Sequence, residues 1–480
     1  MTLARHSAYY LTGRLASAAV GMLALYAFTR VLSPADYGRY SVIVAMAGLV
    51  SGFGFQWLRQ CLVKFGPDPA GDRSELLGSI GFLFLTLAVT AVAVAIIAAV
   101  FSNDRGGVIS TSVIAVTVAL AMAQAWFELG LDANRVDLNP VRYGVSGLLR
   151  AAFCLAFGLL ARWLTHTLTA MILGVALGYL VASLLTAPRW LDGLAKVRKG
   201  NWAQTKALAA YGMPLALTLG FTFILDSADR LMLAAMSGVT EAGIYSSAYN
   251  LGQYALGNLL WGLGLAVFPL AVKCYAEKGA DRTGILLGQN LLLLVGLALP
   301  ATLGLVVLAP TLTRLLLGNF APGQSALITA IIAIGVAFAA IRSYAYDIVF
   351  MLTQKTRLQA AVLAAAAGVN ILLNWVFIPR WGATGAASAT LLSFLLALCL
   401  SMLLSRRLIK ISIRTPDLVK VIIGSVTMVG ALMISPTHQN WLSLVWQITL
   451  GAAVYLCAML ILNPVEVRTR LRDRFHRRIS

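Results

Sequence analysis

Acidic residues are scarce in this chain: 18 Asp and Glu stand among 480 residues, against 37 Lys and Arg. Charge of either sign is sparse, at 11% of residues, where a soluble globular protein carries about 25%. That shortage excludes an ordinary water-soluble domain. The four histidines and five cysteines are dispersed, with no CxxC pair. Neither a zinc or haem centre nor a disulfide framework is implied. No glycine-rich nucleotide-binding motif precedes a helix in any polar segment. The longest outer loop expected, 309–323, lacks acids and histidines. These absences weigh against a polytopic glycan polymerase or glycosyltransferase, which needs a reactive constellation in a sizeable loop.

What the chain has in abundance is apolar sequence, 60% of all residues. A membrane-spanning helix takes about 20 consecutive apolar residues. Runs of that kind predict an all-α polytopic membrane protein with about 14 transmembrane helices. Span two is expected at 38–60, span four at 108–131, span five at 143–163 and span ten at 324–351. The first apolar run continues to Phe28 without a small-residue cleavage site, so it reads as a span and not as a removable signal.

The formal net charge of +19 would point to nucleic acid in a soluble protein. Here it fits basic cytoplasmic loops facing anionic membrane lipids, and no nucleic-acid partner is expected. With the N-terminus inside, 26 Lys and Arg fall on inner loops and termini and six on the outer side. The bias places both termini in the cytoplasm. The expected organisation is a first lobe of six spans over 1–187, a cytoplasmic linker over 188–208 and a second lobe of six spans over 209–405. An extra helix pair follows over 406–464, and then a basic tail over 465–480.

The two lobes carry a shared signature. Residues 33–41 read SPADYGRYS and 238–246 read GVTEAGIYS. At an offset of 205, Asp36 matches Glu241, Gly38 matches Gly243, Tyr40 matches Tyr245 and Ser41 matches Ser246. A six-plus-six repeat in which each half begins inside makes the halves parallel repeats, with substrate expected between them.

Residues 27–45 (AFTRVLSPADYGRYSVIVA) resemble the first hairpin of the polysaccharide transporter family, the Wzx-type flippases of the MOP exporter superfamily. Residues 229–249 (DRLMLAAMSGVTEAGIYSSAY) and 382–389 (GATGAASA) look like later signatures of the same family. The resemblance implies a V-shaped pair of six-helix bundles that alternate between inward-open and outward-open states. It implies a lipid-linked oligosaccharide on undecaprenyl pyrophosphate as cargo, moved across the bacterial inner membrane for O-antigen, capsule or exopolysaccharide synthesis. A polysaccharide polymerase and a chain-length protein are the partners it implies. No cofactor is expected beyond a coupling ion, H+ or Na+. A MATE-type cation-coupled drug exporter is the alternative within the superfamily.

Five arginines fall inside expected spans: Arg14, Arg59, Arg150, Arg230 and Arg342. A guanidinium at bilayer depth costs about 2.5–3.5 kcal/mol on insertion scales, so it faces protein or a watery cavity. Its planar fork suits phosphate oxygens, which makes Arg14, Arg59, Arg150 and Arg342 the candidate ligands of an anionic headgroup. Arg14 and Arg59 also lie near enough to a span end to snorkel, and Arg59 is within range of Glu128. Asp226 and Arg230 are four residues apart, the spacing of an intrahelical ion pair. Asp229 is rotated roughly 100° from Arg230 and is the leading candidate for ion coupling, together with Asp226 and with Asp347, which is expected at an interface near the inner end of span ten. Three arginines against Glu128 in the first lobe, and two against three acids in the second, predict a division of labour. The first lobe would hold the anionic headgroup and the second would respond to a cation.

Overall fold

With no water in the hydrocarbon to receive backbone N–H and C=O groups, a lipid-spanning chain must satisfy them internally, and helices do so. The computed structural model describes residues 3–66, 73–101, 110–137, 139–186, 201–436 and 439–463, and among these residues the regular secondary structure is entirely helical. The helices are α1 (Leu3–Val31), α2 (Pro34–Phe65), α3 (Arg73–Phe101), α4 (Thr111–Val136), α5 (Pro140–Thr165), α6 (Leu168–Thr186), α7 (Trp202–Met236) and α8 (Val239–Gly252). They continue as α9 (Asn258–Leu317), α10 (Pro322–Ile341), α11 (Asp347–Leu352), α12 (Thr356–Ser405), α13 (Thr415–Ile434) and α14 (Trp441–Leu462). Short π-helical turns, Gln253–Gly257 and Arg342–Tyr346, join α8 to α9 and α10 to α11.

The starts of several helices are written locally. Ser33 accepts the Asp36 N–H and is followed by Pro34 at the first helical position. Ser110 and Asn139 cap α4 and α5 in the same way, each side-chain oxygen taking an N–H three residues on.

Among the described residues, ten helical stretches are long and apolar enough to cross a membrane. Two are far longer than one crossing requires: Val239–Leu317 at 79 residues and Thr356–Ser405 at 50. Each is broken at a glycine in a conformation that L side chains rarely adopt, Gly279 (φ 72°) and Gly382 (φ 52°). The sequence reading of fourteen counts α1 and α7 in addition and divides each long stretch at its glycine. Valines along α3 are left bare, Val89 at 69% and Val100 at 75% exposure. An outward apolar surface of that kind belongs in lipid, and the chain is a multi-pass membrane protein.

The helices form two compact units: Met1–Ser246 with Ile371–Ala383, and Ser247–Asn370 with Thr384–Ser480. The first unit therefore includes α7, which the sequence assigned to the second lobe. Side-chain fit shows why. Phe53 and Trp57 of α2 lie over Gly220 and Gly212 of α7, and Phe223 of α7 lies over Gly52 of α2. A Cβ at any of these glycines would come within 2.0–2.3 Å of a ring atom. The core beside this seam gathers Phe55, Leu58, Cys61, Leu62, Leu129 and Leu208 from α2, α4 and α7.

The repeat is visible as a contact. A Cβ on Gly38 would lie 1.7 Å from the Val239 carbonyl oxygen, and one on Gly243 would lie 2.0 Å from the Pro34 carbonyl oxygen. Val239 is 205 residues beyond Pro34, as Gly243 is beyond Gly38, and Ser246 Oγ donates to Ser41 Oγ at 2.9 Å, also across 205 residues. Reciprocal contacts at one offset are what a local two-fold axis between two copies of a motif produces.

In the second unit, α13 and α14 pack on α9. Tyr455 Oη donates to the Gly296 carbonyl at 2.5 Å, and the extended segment before α13 crosses the glycine stripe of α9, with Ser412 N–H bonded to the Gly284 carbonyl at 3.2 Å. Most of the expected linker, 187–200, and the basic tail, 464–480, lie outside the described residues.

Candidate functional site

Three buried polar groupings lie in the first unit. The first is built by a stripe on α4. Gln124, Glu128 and Asp132 follow one another at intervals of four and so share a face. That face meets Arg59 of α2. Arg59 Nε donates to Asp132 Oδ2 at 2.7 Å, Nη1 donates to Glu128 Oε2, and Gln124 Nε2 donates to Glu128 Oε1 at 3.3 Å. The pair's two acids differ in access: the Asp132 side chain is 8% exposed and that of Glu128 27%. The expected Glu128 partner is present. Asp132 was missed because the sequence boundary of span four stopped at 131, whereas α4 runs to Val136. For spans one to six the charge tally changes accordingly, to Arg14, Arg59 and Arg150 against Glu128 and Asp132, and α7 in the same compact unit adds Arg230, Asp226 and Asp229.

The second grouping holds Arg150. Its Nη1 donates to Tyr179 Oη at 3.2 Å, and its guanidinium carbon lies 5.4 Å from the Tyr179 ring centroid and 5.8 Å from that of Phe127. The two rings are themselves edge-to-face, 5.6 Å apart at 73°. The cation sits in a corner between perpendicular π faces, within the roughly 6 Å at which ring quadrupoles attract it. Helices α4, α5 and α6 contribute one residue each.

The third grouping surrounds Asp229 of α7, which is 1% exposed. Tyr245 Oη donates to its Oδ2 at 2.5 Å, and Asn374 Nδ2 donates to its Oδ1 at 2.6 Å. Tyr245 and Asn374 are themselves buried. The Tyr245 ring is enclosed and its hydroxyl is spent on the carboxylate. Asp226, one turn before Arg230 on α7, is exposed and Arg230 is half-buried. Nearby, Glu241 Oε2 accepts the Ala383 N–H at 2.8 Å, capping the part of α12 that follows the Gly382 break.

The second unit contains a grouping that the sequence reading did not assemble. Arg342 Nε lies 3.2 Å from Asp347 Oδ2, and Ser401 Oγ donates to Asp347 Oδ1 at 2.7 Å. Asp347 is 3% exposed and Arg342 9%, so the two form a buried ion pair. In a regular α-helix, residues five apart are rotated about 140° from each other, from 3.6 residues per turn. The π-turn removes that rotation: its i→i+5 bond joins the Asp347 N–H to the Arg342 carbonyl and stacks the two side chains. The Tyr344 carbonyl within the wide turn is taken up by Asn290 Nδ2 at 2.7 Å.

Arg14 lies on α1, and its side chain is outside the described residues. A cavity of about 440 Å³ opens at the N-terminal ends of α2, α4, α6 and α8, edged by Arg39, Ser110, Ser112 and Thr169. Among the described residues, none of the sequence-predicted ligands lines it. Among the described residues, no group of three or more His, Cys, Asp or Glu is arranged to hold a metal ion.

The profile of a family described as "Polysaccharide biosynthesis protein" matches residues 3–274. Among solved structures, the lipid II flippase MurJ in an inward closed conformation superposes with a TM-score of 0.77 at 14% identity, covering 95% of this chain and 98% of that one. An inward-facing multidrug resistance MATE transporter of the MOP superfamily superposes at 0.57 and 14% identity, over 85% and 94% of the two chains. Among curated proteins, Protein DETOXIFICATION 21 of Arabidopsis thaliana is 25% identical over 229 residues, and Protein DETOXIFICATION 20 is 22% identical over 210. The chain spans less than half the length of these curated relatives, 45% and 41%.

Proposed function

The chain belongs to the polysaccharide biosynthesis protein family, and on that premise we propose that it is a flippase for an oligosaccharide carried on undecaprenyl pyrophosphate. The cargo passes from the cytoplasmic to the periplasmic leaflet of the bacterial inner membrane by alternating access, with both termini cytoplasmic. The MOP-type fold supports this reading at the level of architecture.

Arg150 is the observation that carries it. A permanent cation is held among apolar helices by two ring faces and a phenol oxygen. Ring faces orient a guanidinium, and Arg forms charge-assisted, often bidentate bonds with phosphoryl oxygens. Arg59 and Arg14 are the additional headgroup ligands of the proposal. Arg342, stacked on Asp347, contributes less directly. Asp229, with Tyr245 and Asn374 as its donors, is the proposed site of H+ or Na+ coupling, since a carboxylate buried at bilayer depth is costly unless a cation or proton offsets it.

The test is leaflet translocation of a labelled polyprenyl-pyrophosphate oligosaccharide in vesicles, paired with glycan export in cells. Arg150→Ala is expected to abolish export while the protein still accumulates in the membrane; normal export by that variant rejects the reading. The curated relatives and the MATE structures favour a second reading, a cation-coupled exporter of organic solutes. Cation-driven dye efflux without lipid translocation would select it.

A further inference from the structure

The arginine of α2 is only partly occupied by its acids. Nε and Nη1 of Arg59 are bound to Asp132 and Glu128. Among the described residues Nη2 has no acceptor, and the side chain is 19% exposed. Three features of the two carboxylates differ. Asp132 is almost fully buried, whereas Glu128 is about a quarter exposed. Glu128 also has a second place to rest, beside the amide of Gln124. Asp132 binds Nε, the donor nearest the stem of the side chain, and Glu128 binds Nη1, at the open end of the fork beside Nη2.

We propose that Glu128 and Asp132 have opposite roles toward the anionic headgroup: Asp132 anchors Arg59, and Glu128 is an exchangeable internal anion that a diphosphate displaces from the Nη1–Nη2 edge. This rests on the flippase reading above and deepens it. A guanidinium edge with one nitrogen unbonded and the other on a partly exposed acid matches the spacing of two phosphoryl oxygens. Displacing Glu128 costs little, because a partly exposed carboxylate regains water and keeps the Gln124 amide. Displacing Asp132 costs far more, because it would strand a buried charge. The exchange also supplies a route for release. When the headgroup leaves, Glu128 returns to Nη1, so Arg59 is never left bare in a site of low polarity. Glu128 and Asp132 are positioning residues here, acting on cargo through Arg59.

The experiment measures binding of undecaprenyl pyrophosphate and of undecaprenyl monophosphate to the full chain in nanodiscs, with equilibrium and dissociation rates, for the wild type and for E128Q, E128D, D132N, D132E and R59A. E128Q removes the competitor and is expected to bind the pyrophosphate lipid about 2- to 5-fold tighter, the factor a partly exposed pair is worth, with slower dissociation. D132N frees the arginine stem and is expected to bind at least about tenfold more weakly. E128D and D132E should restore values near the wild type, which a loss of folding would not allow. The effect of E128Q should be smaller for the monophosphate, which spans one oxygen pair less. Equal effects of E128Q and D132N, or no effect of either while R59A weakens binding, overturns the opposed roles and leaves the cargo reading standing. No binding of either lipid by the wild type overturns both.

Discussion

Arg59, Arg150, Arg342 and Asp229 each resolve into a distinct local chemistry. Arg59 is compensated by two acids, Arg150 is held by rings, Arg342 is locked to an acid one wide turn away, and Asp229 is a carboxylate fed by neutral donors. Asp229 receives hydrogen bonds from the Tyr245 hydroxyl and the Asn374 amide, and that sets its prediction. Asp229→Asn keeps the shape of the side chain and can still accept from Tyr245. It is therefore expected to leave the protein in the membrane while abolishing the dependence of transport on an imposed H+ or Na+ gradient. The check is transport in vesicles with and without each gradient, and an unchanged gradient response would remove Asp229 from the coupling role. The i, i+4 stripe of Gln124, Glu128 and Asp132 was present in the sequence as spacing, and a boundary drawn one residue short hid its last member. The Arg342–Asp347 pair could not be found by spacing, because helical geometry at five residues points the two apart unless the helix widens.

At the scale of elements, the close crossing of the α2 and α8 N-termini has no room for any side chain. Gly38→Val would drive a methyl-bearing carbon into the Val239 carbonyl, which is backbone and cannot rotate away. Overpacking of that kind costs about 1–3 kcal/mol, and the variant is expected to lower the thermal midpoint and to abolish transport. Gly54→Val on the same helix is the control: a Cβ there meets nothing within 4 Å, and a change within about 0.5 kcal/mol is expected. Thermal unfolding of the purified variants in one detergent separates the two. The repeated motif on α2 and α8 was legible as a nine-residue echo. That its two copies touch each other was not legible, since an offset between similar segments says nothing about their distance in space.

For the whole molecule, the Lys and Arg bias and the apolar runs make a claim about topology. Tags or single cysteines placed at the N-terminus and near residue 480 should both be shielded from membrane-impermeant labels applied outside, and a cysteine at position 105 or 380 should be labelled. Labelling of either terminus from outside would invert or break the proposed orientation. The membrane class, the helical fold and the family resemblance came from composition and short motifs, because lipid imposes a strong and simple demand on sequence: long apolar helices with charge kept at their ends. The partition into compact units did not come from the sequence. The polar linker suggested a boundary near 188–208, yet the rings and glycines that join α2 to α7 put α7 with the first six helices.

The sequence by itself determined that this is a polytopic helical membrane protein of the polysaccharide biosynthesis family, and which few charges lie at depth. Those properties depend on local composition and on periodicity along a single helix. Only the tertiary structure decided which charges are neutralised, which are held by rings and which acids serve as partners. Those outcomes depend on distances between helices far apart in the chain, and on a single widened turn that changes which side of a helix a residue faces.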